Sequence, residues 1–184
     1  MEKNEQISII NKHLQNASDV FITYLQTVLE NTNNRFWDLS ENEEIKAFRI
    51  LYYHEDLSIY CSLWDIEMDS CEEKEEISFF NRLYNDSIKM EEETVFMPQE
   101  LRGIEIELEV FELFESWVLK CWAKAKPENF SLPSFLNESD SADYTNLDNS
   151  EKGDHLYVLD IIDPDGIDDE TNYDSGFSAV ENRK

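Results

Sequence analysis

Apolar side chains recur at intervals of three and four residues near the start of the chain, over residues 4–30. The members of this stripe are Ile7, Ile10, Leu14, Ala17, Phe21, Tyr24 and Val28. Because residues three and four apart share one side of an α-helix, the stripe predicts an amphipathic helix packed on the rest of its domain. The polar run at 31–34 ends this helix.

From residue 47 the period changes to two. Two alternating runs, at 47–53 and 57–68, are separated by the polar residues His-Glu-Asp. They predict a β-hairpin over residues 47–67, because successive side chains of a strand point to opposite faces. One face of the second run carries Leu57, Ile59, Cys61 and Leu63. The other face carries Tyr60 and Trp64, which we expect on the solvent side of the sheet.

Two further helices are predicted. Residues 72–90 begin with glutamates, which suit a helix N-terminus, and continue with apolar residues at helical spacing. Pro98 and Pro127 bracket the other helix, at 99–126. Its apolar arc contains Ile106, Val110, Leu113, Phe114, Trp117, Val118, Cys121 and Trp122. Residues 104–110 alternate as a strand would, but 111–122 break that alternation, so we expect helix throughout.

The character of the chain changes after residue 126. Residues 127–154 contain a Ser/Asp/Asn-rich run typical of a linker or long surface loop. The apolar run His-Leu-Tyr-Val-Leu-Asp-Ile-Ile at 155–162 predicts an extra strand, and the last 22 residues predict a mobile acidic tail. The expected fold is an α+β domain, residues 1–137, with three main helices on a small antiparallel sheet. An acidic C-terminal segment, 138–184, follows it.

Charge is the most unusual property of the composition. The 184 residues include 42 acids and 15 bases, for a formal net charge of −27. Residues 138–184 hold 14 acids and 3 bases, so a net charge of −16 remains on the first 137 residues. Such a field repels nucleic acid and anionic membranes and attracts basic proteins. The alternative is that the charge only keeps the protein soluble.

The predicted third helix carries an acidic ridge. Glu105, Glu109 and Glu112 lie opposite the apolar arc, spaced by four and three residues. Like charges at this spacing destabilise a helix slightly, so the ridge favours a role in binding a basic partner. Tyr60 and Trp64 are the expected anchors if such an interface has an apolar centre, because aromatic residues often supply it. The alternative is that these two side chains only pack against neighbours across the strands. For the ridge, a solvated face without a partner is the alternative.

One acidic cluster near the C-terminus invites a cation-site interpretation. Its members are Asp163, Asp165, Asp168 and Asp169. An EF-hand loop needs glycine at its sixth position; if this is Gly166, the first and twelfth positions are Ile161 and Asn172, which cannot act as the required ligands. The cluster therefore stays only a weak candidate for cation binding.

Familiar signatures of catalysis and cofactor binding are missing from the sequence. It contains no G-x-S-x-G, no H-E-x-x-H and no Gly-rich phosphate loop, so we expect no cofactor. Three cysteines at unpaired spacings argue against a disulfide framework, and Cys61 and Cys121 are expected to be buried thiols. The N-terminus lacks a basic segment followed by an apolar run, and the longest apolar stretch, 104–123, carries five glutamates. These features predict a soluble cytoplasmic protein.

The function predicted from these features is non-catalytic binding that neutralises a basic protein. An immunity protein or antitoxin-type inhibitor of a nuclease-like toxin fits best, without direct binding to nucleic acid or membrane. A second hypothesis is a nucleic-acid mimic that inhibits a DNA- or RNA-binding protein, as a phage-encoded inhibitor of bacterial defence would. A third, from a different class, is an enzyme with an unrecognised carboxylate site. The sequence does not indicate an oligomeric state.

Overall fold

The computed structural model of the chain describes residues 1–30, 44–53, 57–68, 70–72, 97–139 and 141–164. Three sequence predictions lie almost entirely outside these residues: residues 73–90 of the helix predicted at 72–90, almost all of the tail at 163–184, and Asp165, Asp168 and Asp169 of the acidic cluster.

Helices and strands both contribute to the described part of the chain. Its α-helices are α1 (Lys3–Glu30), α2 (Leu108–Ala125) and α3 (His155–Ile162). Its strands are β1 (Ala47–Tyr52), β2 (Ile59–Trp64), β3 (Ser70–Glu72), β4 (Ser134–Glu138), β5 (Tyr144–Asn146) and β6 (Lys152–Gly153). A short 3-10 turn, Gln99–Leu101, precedes α2. The α+β class predicted from the sequence is confirmed.

The strands form one sheet in the order β3-β2-β1-β4-β5-β6. β1 and β2 are antiparallel, which confirms the predicted hairpin. The prediction of a purely antiparallel sheet is wrong, because β1 and β4 are parallel. Parallel neighbours need a long crossover connection, and α2 lies in the segment between these two strands. A boundary at residue 137 falls within β4, and β5 and β6 continue the same sheet beyond it.

The main core lies on the face of the sheet that α1 and α2 cover, which we call the inner face. Six of the seven stripe residues of α1 are buried, and Ile7 is half-buried. Leu57, Ile59, Cys61 and Leu63 join the same core, as the alternation in β2 predicted. α1 and α2 run parallel, since Lys3 contacts Glu109 and Ser18 contacts Trp117 further along both helices. Trp117 and Trp122 are both buried.

Helix α2 begins at Leu108, so the helix predicted for residues 99–107 is wrong. Gly103 has a φ of 71°, which a right-handed helix does not allow. The segment that follows leads to Glu107, whose backbone is extended. The Gln6 side chain binds this segment: its amide donates to the Glu105 carbonyl and its carbonyl accepts from the Glu107 N–H, both at 3.1 Å. The alternating residues 104–107 thus lie outside both the helix and the sheet.

The run at 155–162 is the helix α3, and the prediction of a strand there is wrong. Asp154 caps the helix, its carboxylate accepting from the Tyr157 N–H at 3.1 Å. Val158 and Ile162 are buried in a second, smaller apolar cluster with Ala47, Trp64 and Phe135. This cluster lies on the other side of the sheet, which we call the outer face. A short apolar run is compatible with strand and buried helix alike, so the cap and the packing decide between them.

Candidate acidic binding surface

The N-terminal ends of α1 and α2 lie side by side, because the two helices are parallel. The Lys3 ammonium forms an ion pair with the Glu109 carboxylate, which joins the two ends. Glu105, Glu107 and Glu112 lie near the same end and are exposed. We call the surface formed by these four glutamates and Lys3 the acidic end.

Electrostatics at the acidic end are dominated by carboxylates. The pKa of Lys3 is raised, chiefly by its hydrogen bond to Glu109, and the charges of Glu107 and Glu112 raise it further. The same bond lowers the pKa of Glu109. Within the described residues, Glu105, Glu107 and Glu112 form no ion pair. Lys3 therefore interacts with three carboxylates, those of Glu107, Glu109 and Glu112, and the surface remains negative.

Part of this acidity has a local structural role. A helix N-terminus carries a partial positive charge, so Glu107 and Glu109 at the start of α2 stabilise the helix itself. Lys124 in the last turn of α2 complements the other end in the same way. This effect fades beyond the first turn of a helix. Glu105 and Glu112 lie outside that turn, so the helix dipole does not account for them.

The acidic ridge predicted from the sequence differs from the surface observed. Glu105 precedes the helix, so Glu105, Glu109 and Glu112 form a patch rather than a ridge along one helix. Glu109 is partly neutralised by Lys3, whereas Glu112 is exposed. Sequence reasoning missed Lys3 and Glu107, because the ion pair joins residues more than one hundred positions apart and leaves no local signal.

The aromatic residues predicted as anchors have different environments. The expectation that Trp64 faces solvent is wrong, because its side chain is 1% exposed beneath α3. Its ring lies 5.8 Å from Tyr144, and the Arg49 guanidinium lies 4.6 Å from its centre. Tyr60 is half-buried and makes an edge-to-face contact, with ring centres 5.1 Å apart, with the more exposed Tyr53. Tyr60 thus remains accessible in part, whereas Trp64 does not.

A partly buried carboxylate lies between α2 and the sheet. The Tyr52 hydroxyl donates to one Glu115 oxygen at 2.9 Å, and the Lys152 ammonium donates to the other at 3.3 Å. Burial raises the pKa of Tyr52, and the neighbouring Glu115 and Glu138 raise it further. The phenol therefore stays protonated at neutral pH. Both Glu115 oxygens have partners, so this group ties α2 to β1 and β6.

Thiols and metal ligands add no further site. Cys61 and Cys121 are both buried, as predicted. Burial raises the pKa of the Cys121 thiol to about 12, which suppresses its reactivity at neutral pH. Among the residues that the structure describes, no three His, Cys, Asp or Glu side chains are grouped so that they could hold a metal ion. Asp163 directly follows α3.

Across the described ranges, no helix combines the length and the apolar character needed to cross a bilayer. The chain matches no protein-family model, no curated protein and no solved structure.

Proposed function

We propose that the chain is an acidic, non-catalytic binding protein that neutralises a basic protein partner. An immunity protein or antitoxin-type inhibitor of a nuclease-like toxin is the form of this function that we favour. The observation that carries the proposal is the acidic end, where Lys3 lies among the charges of Glu107, Glu109 and Glu112 and the exposed Glu105 lies close by in the chain. Two of these glutamates, Glu105 and Glu112, are not explained by the dipole of α2.

The chemistry of the partner follows from this charge. A surface that binds RNA or DNA presents lysine and arginine side chains to phosphate groups. Exposed carboxylates with few cations between them complement the same side chains. The net charge of −27 adds long-range attraction, which accelerates association and is screened over roughly 8–10 Å at physiological salt. The proposed interaction is therefore fast at low salt and weakened by added salt.

Charge reversal tests the surface directly. The variant replaces Glu105, Glu107 and Glu112 with lysine and leaves the Lys3–Glu109 pair intact. A matched control reverses three exposed acids elsewhere, Glu67, Glu128 and Asp143. Both variants change the net charge equally, so only the position of the charges differs between them.

Binding is measured against a panel of basic nucleases and basic nucleic-acid-binding proteins, over a series of salt concentrations. We expect the acidic-end variant to lose about ten-fold or more in association rate, and the control to lose much less. Equal loss in both variants would show that net charge alone acts. If no basic protein binds at low salt, or the chain converts a substrate unaided, the proposed class is wrong.

The same assay separates inhibition of a toxin from mimicry of nucleic acid. A mimic competes with duplex DNA or RNA for the partner, because both occupy one surface. An immunity-type inhibitor can block nuclease activity while bound outside the nucleic-acid groove. Competition by unlabelled nucleic acid thus identifies which of the two forms applies.

A further inference from the structure

The two faces of the sheet are covered by helices of very different size. On the inner face, α1 has 28 residues and α2 has 18, and they bury nine and eight residues respectively. On the outer face, as far as the structure describes it, α3 has eight residues, of which Val158 and Ile162 are buried and Tyr157, Leu159 and Ile161 are partly buried. An isolated helix of this length is not stable in water, so α3 depends on these few contacts.

Polar interactions hold α3 only to the chain beside it. Asp154 caps its first turn, and the Tyr157 hydroxyl donates to Glu151 at 3.3 Å. In the described part of the chain, no hydrogen bond or ion pair joins a side chain of α3 to β1, β2 or β4. Its attachment to those strands is therefore apolar and non-directional.

The surface beneath α3 is rich in aromatic side chains. Trp64 and Phe135 are fully buried there, with ring centres 6.5 Å apart, and Tyr144 lies beside them. The Arg49 guanidinium packs on Trp64 from the same face.

We propose that α3 is a lid that opens on its own over the aromatic surface formed by Trp64, Phe135 and Tyr144. The main core stays folded when the lid opens, because the sheet separates the two clusters. Opening requires one short helix to give up the contacts of its two buried and three partly buried apolar side chains. It uncovers the aromatic surface.

Gly153 gives an independent way to displace the lid. A Cβ atom at this position would lie 2.2 Å from Cγ and 2.4 Å from Cβ of Tyr157. Both atoms are close to the helix backbone, so a side-chain rotation does not relieve the clash and α3 itself has to shift. Gly153→Ala is therefore a lid-opening substitution that removes no apolar group from the cluster.

Hydrogen exchange of the full-length protein, followed by mass spectrometry in water and at low urea, tests the lid. We expect amides of α3 to be at least about a hundred-fold less protected than those of α2, with little dependence on urea. Gly153→Ala and Ile162→Ala should lower the protection of α3 by about ten-fold or more and leave α1 and α2 unchanged. Leu156→Ala is the matched control, because Leu156 belongs to the same helix and is 57% exposed. It should leave the protection of all three helices unchanged.

Two outcomes would overturn the proposal. In the first, α3 of the unmodified protein exchanges as slowly as α2 and with the same urea dependence, which shows that it opens only with the whole fold. In the second, Ile162→Ala lowers protection equally in all three helices. The measurement on the unmodified protein decides the question even if a variant fails to fold.

Discussion

The two faces of the sheet show how differently one set of strands can be stabilised. Among the described residues, 27 buried side chains form the main core of the inner face, and five form the cluster of the outer face. β1 and β2 contribute most of their buried apolar residues to the main core, and Ala47 and Trp64 to the outer cluster. The large core is built by long helices with regular apolar stripes, whereas α3 is the one helix among the described residues that packs on the small cluster. Stability should therefore reside on the inner face, and local opening on the outer face.

The largest expected effect is the loss of an aromatic side chain from the inner face. Trp122 is 1% exposed, its ring centre lies 5.6 Å from that of Phe48, and its indole N–H donates to Asp148 at 3.0 Å. Trp122→Ala should lower the free energy of unfolding by about 3–5 kcal/mol, measured by urea denaturation. Trp122→Phe keeps a ring in the core and should cost clearly less. A loss below about 1 kcal/mol for Trp122→Ala would refute the assignment of stability to this face.

A matched pair of valines compares the two faces directly. Val118 of α2 and Val158 of α3 are both 0% exposed. Val118→Ala should cost about 2–3 kcal/mol, because two methyl groups are lost and the rigid core keeps the cavity. Val158→Ala should cost less than about 1 kcal/mol in global stability, because the short helix can shift or open instead. Equal costs in urea denaturation would show that both faces unfold as one unit.

The pH dependence of stability reports on a buried group of the inner face. The folded-state pKa of Tyr52 is raised mainly by burial and further by the charge of Glu115. A tyrosine in the unfolded chain titrates at about pH 10. The stabilisation is therefore complete below about pH 10 and is lost as pH rises above it. Tyr52→Phe should be less stable at neutral pH and lose less stability between about pH 9 and 11.

The urea midpoint of both proteins across this range is the measurement. Cys121 contributes a loss of the same sign at alkaline pH, because its pKa is also raised. It is present in both proteins, so its contribution cancels in the comparison. Parallel pH profiles for the two proteins would contradict the assigned role of Tyr52.

The substitution with the smallest expected effect on stability introduces a cysteine into α3, where its labelling rate reports on opening of the lid. Val158→Cys keeps a small apolar side chain in the outer cluster, and the buried Cys61 and Cys121 of the inner face serve as internal references. Iodoacetamide should label the introduced thiol well before the two references, as mapped by mass spectrometry. A common labelling rate, rising steeply with urea at all three positions, would indicate one cooperative unit.

Particular elements show why some of the fold could be predicted. The stripe of α1 continues over several turns, so its period identifies the helix and its buried side with little ambiguity. The alternation over residues 57–63 likewise predicted that Leu57, Ile59, Cys61 and Leu63 face the main core. In both cases the pattern is long, and one face is covered by a large core.

The predictions for other elements were wrong because their sequence patterns are short or fit two kinds of structure. The alternating residues 104–107 lie outside the helices and strands, and the Gln6 side chain that binds this segment is distant in sequence. The run at 155–162 is apolar nearly throughout, so its period cannot separate strand from helix. At the acidic end, the glutamates were visible in the sequence, but their grouping around Lys3 was not.

The sequence by itself determined the α+β class, the long first helix, the hairpin and the strong negative charge, because each depends on composition or on a local period. Only the tertiary structure decided that β4 pairs parallel to β1, that α3 covers Trp64, and that Lys3 meets Glu109. Strand pairing, coverage of a second sheet face and ion pairing between distant helices join residues far apart along the chain. A local pattern reports which side chains are apolar, but the element that buries them is selected by packing.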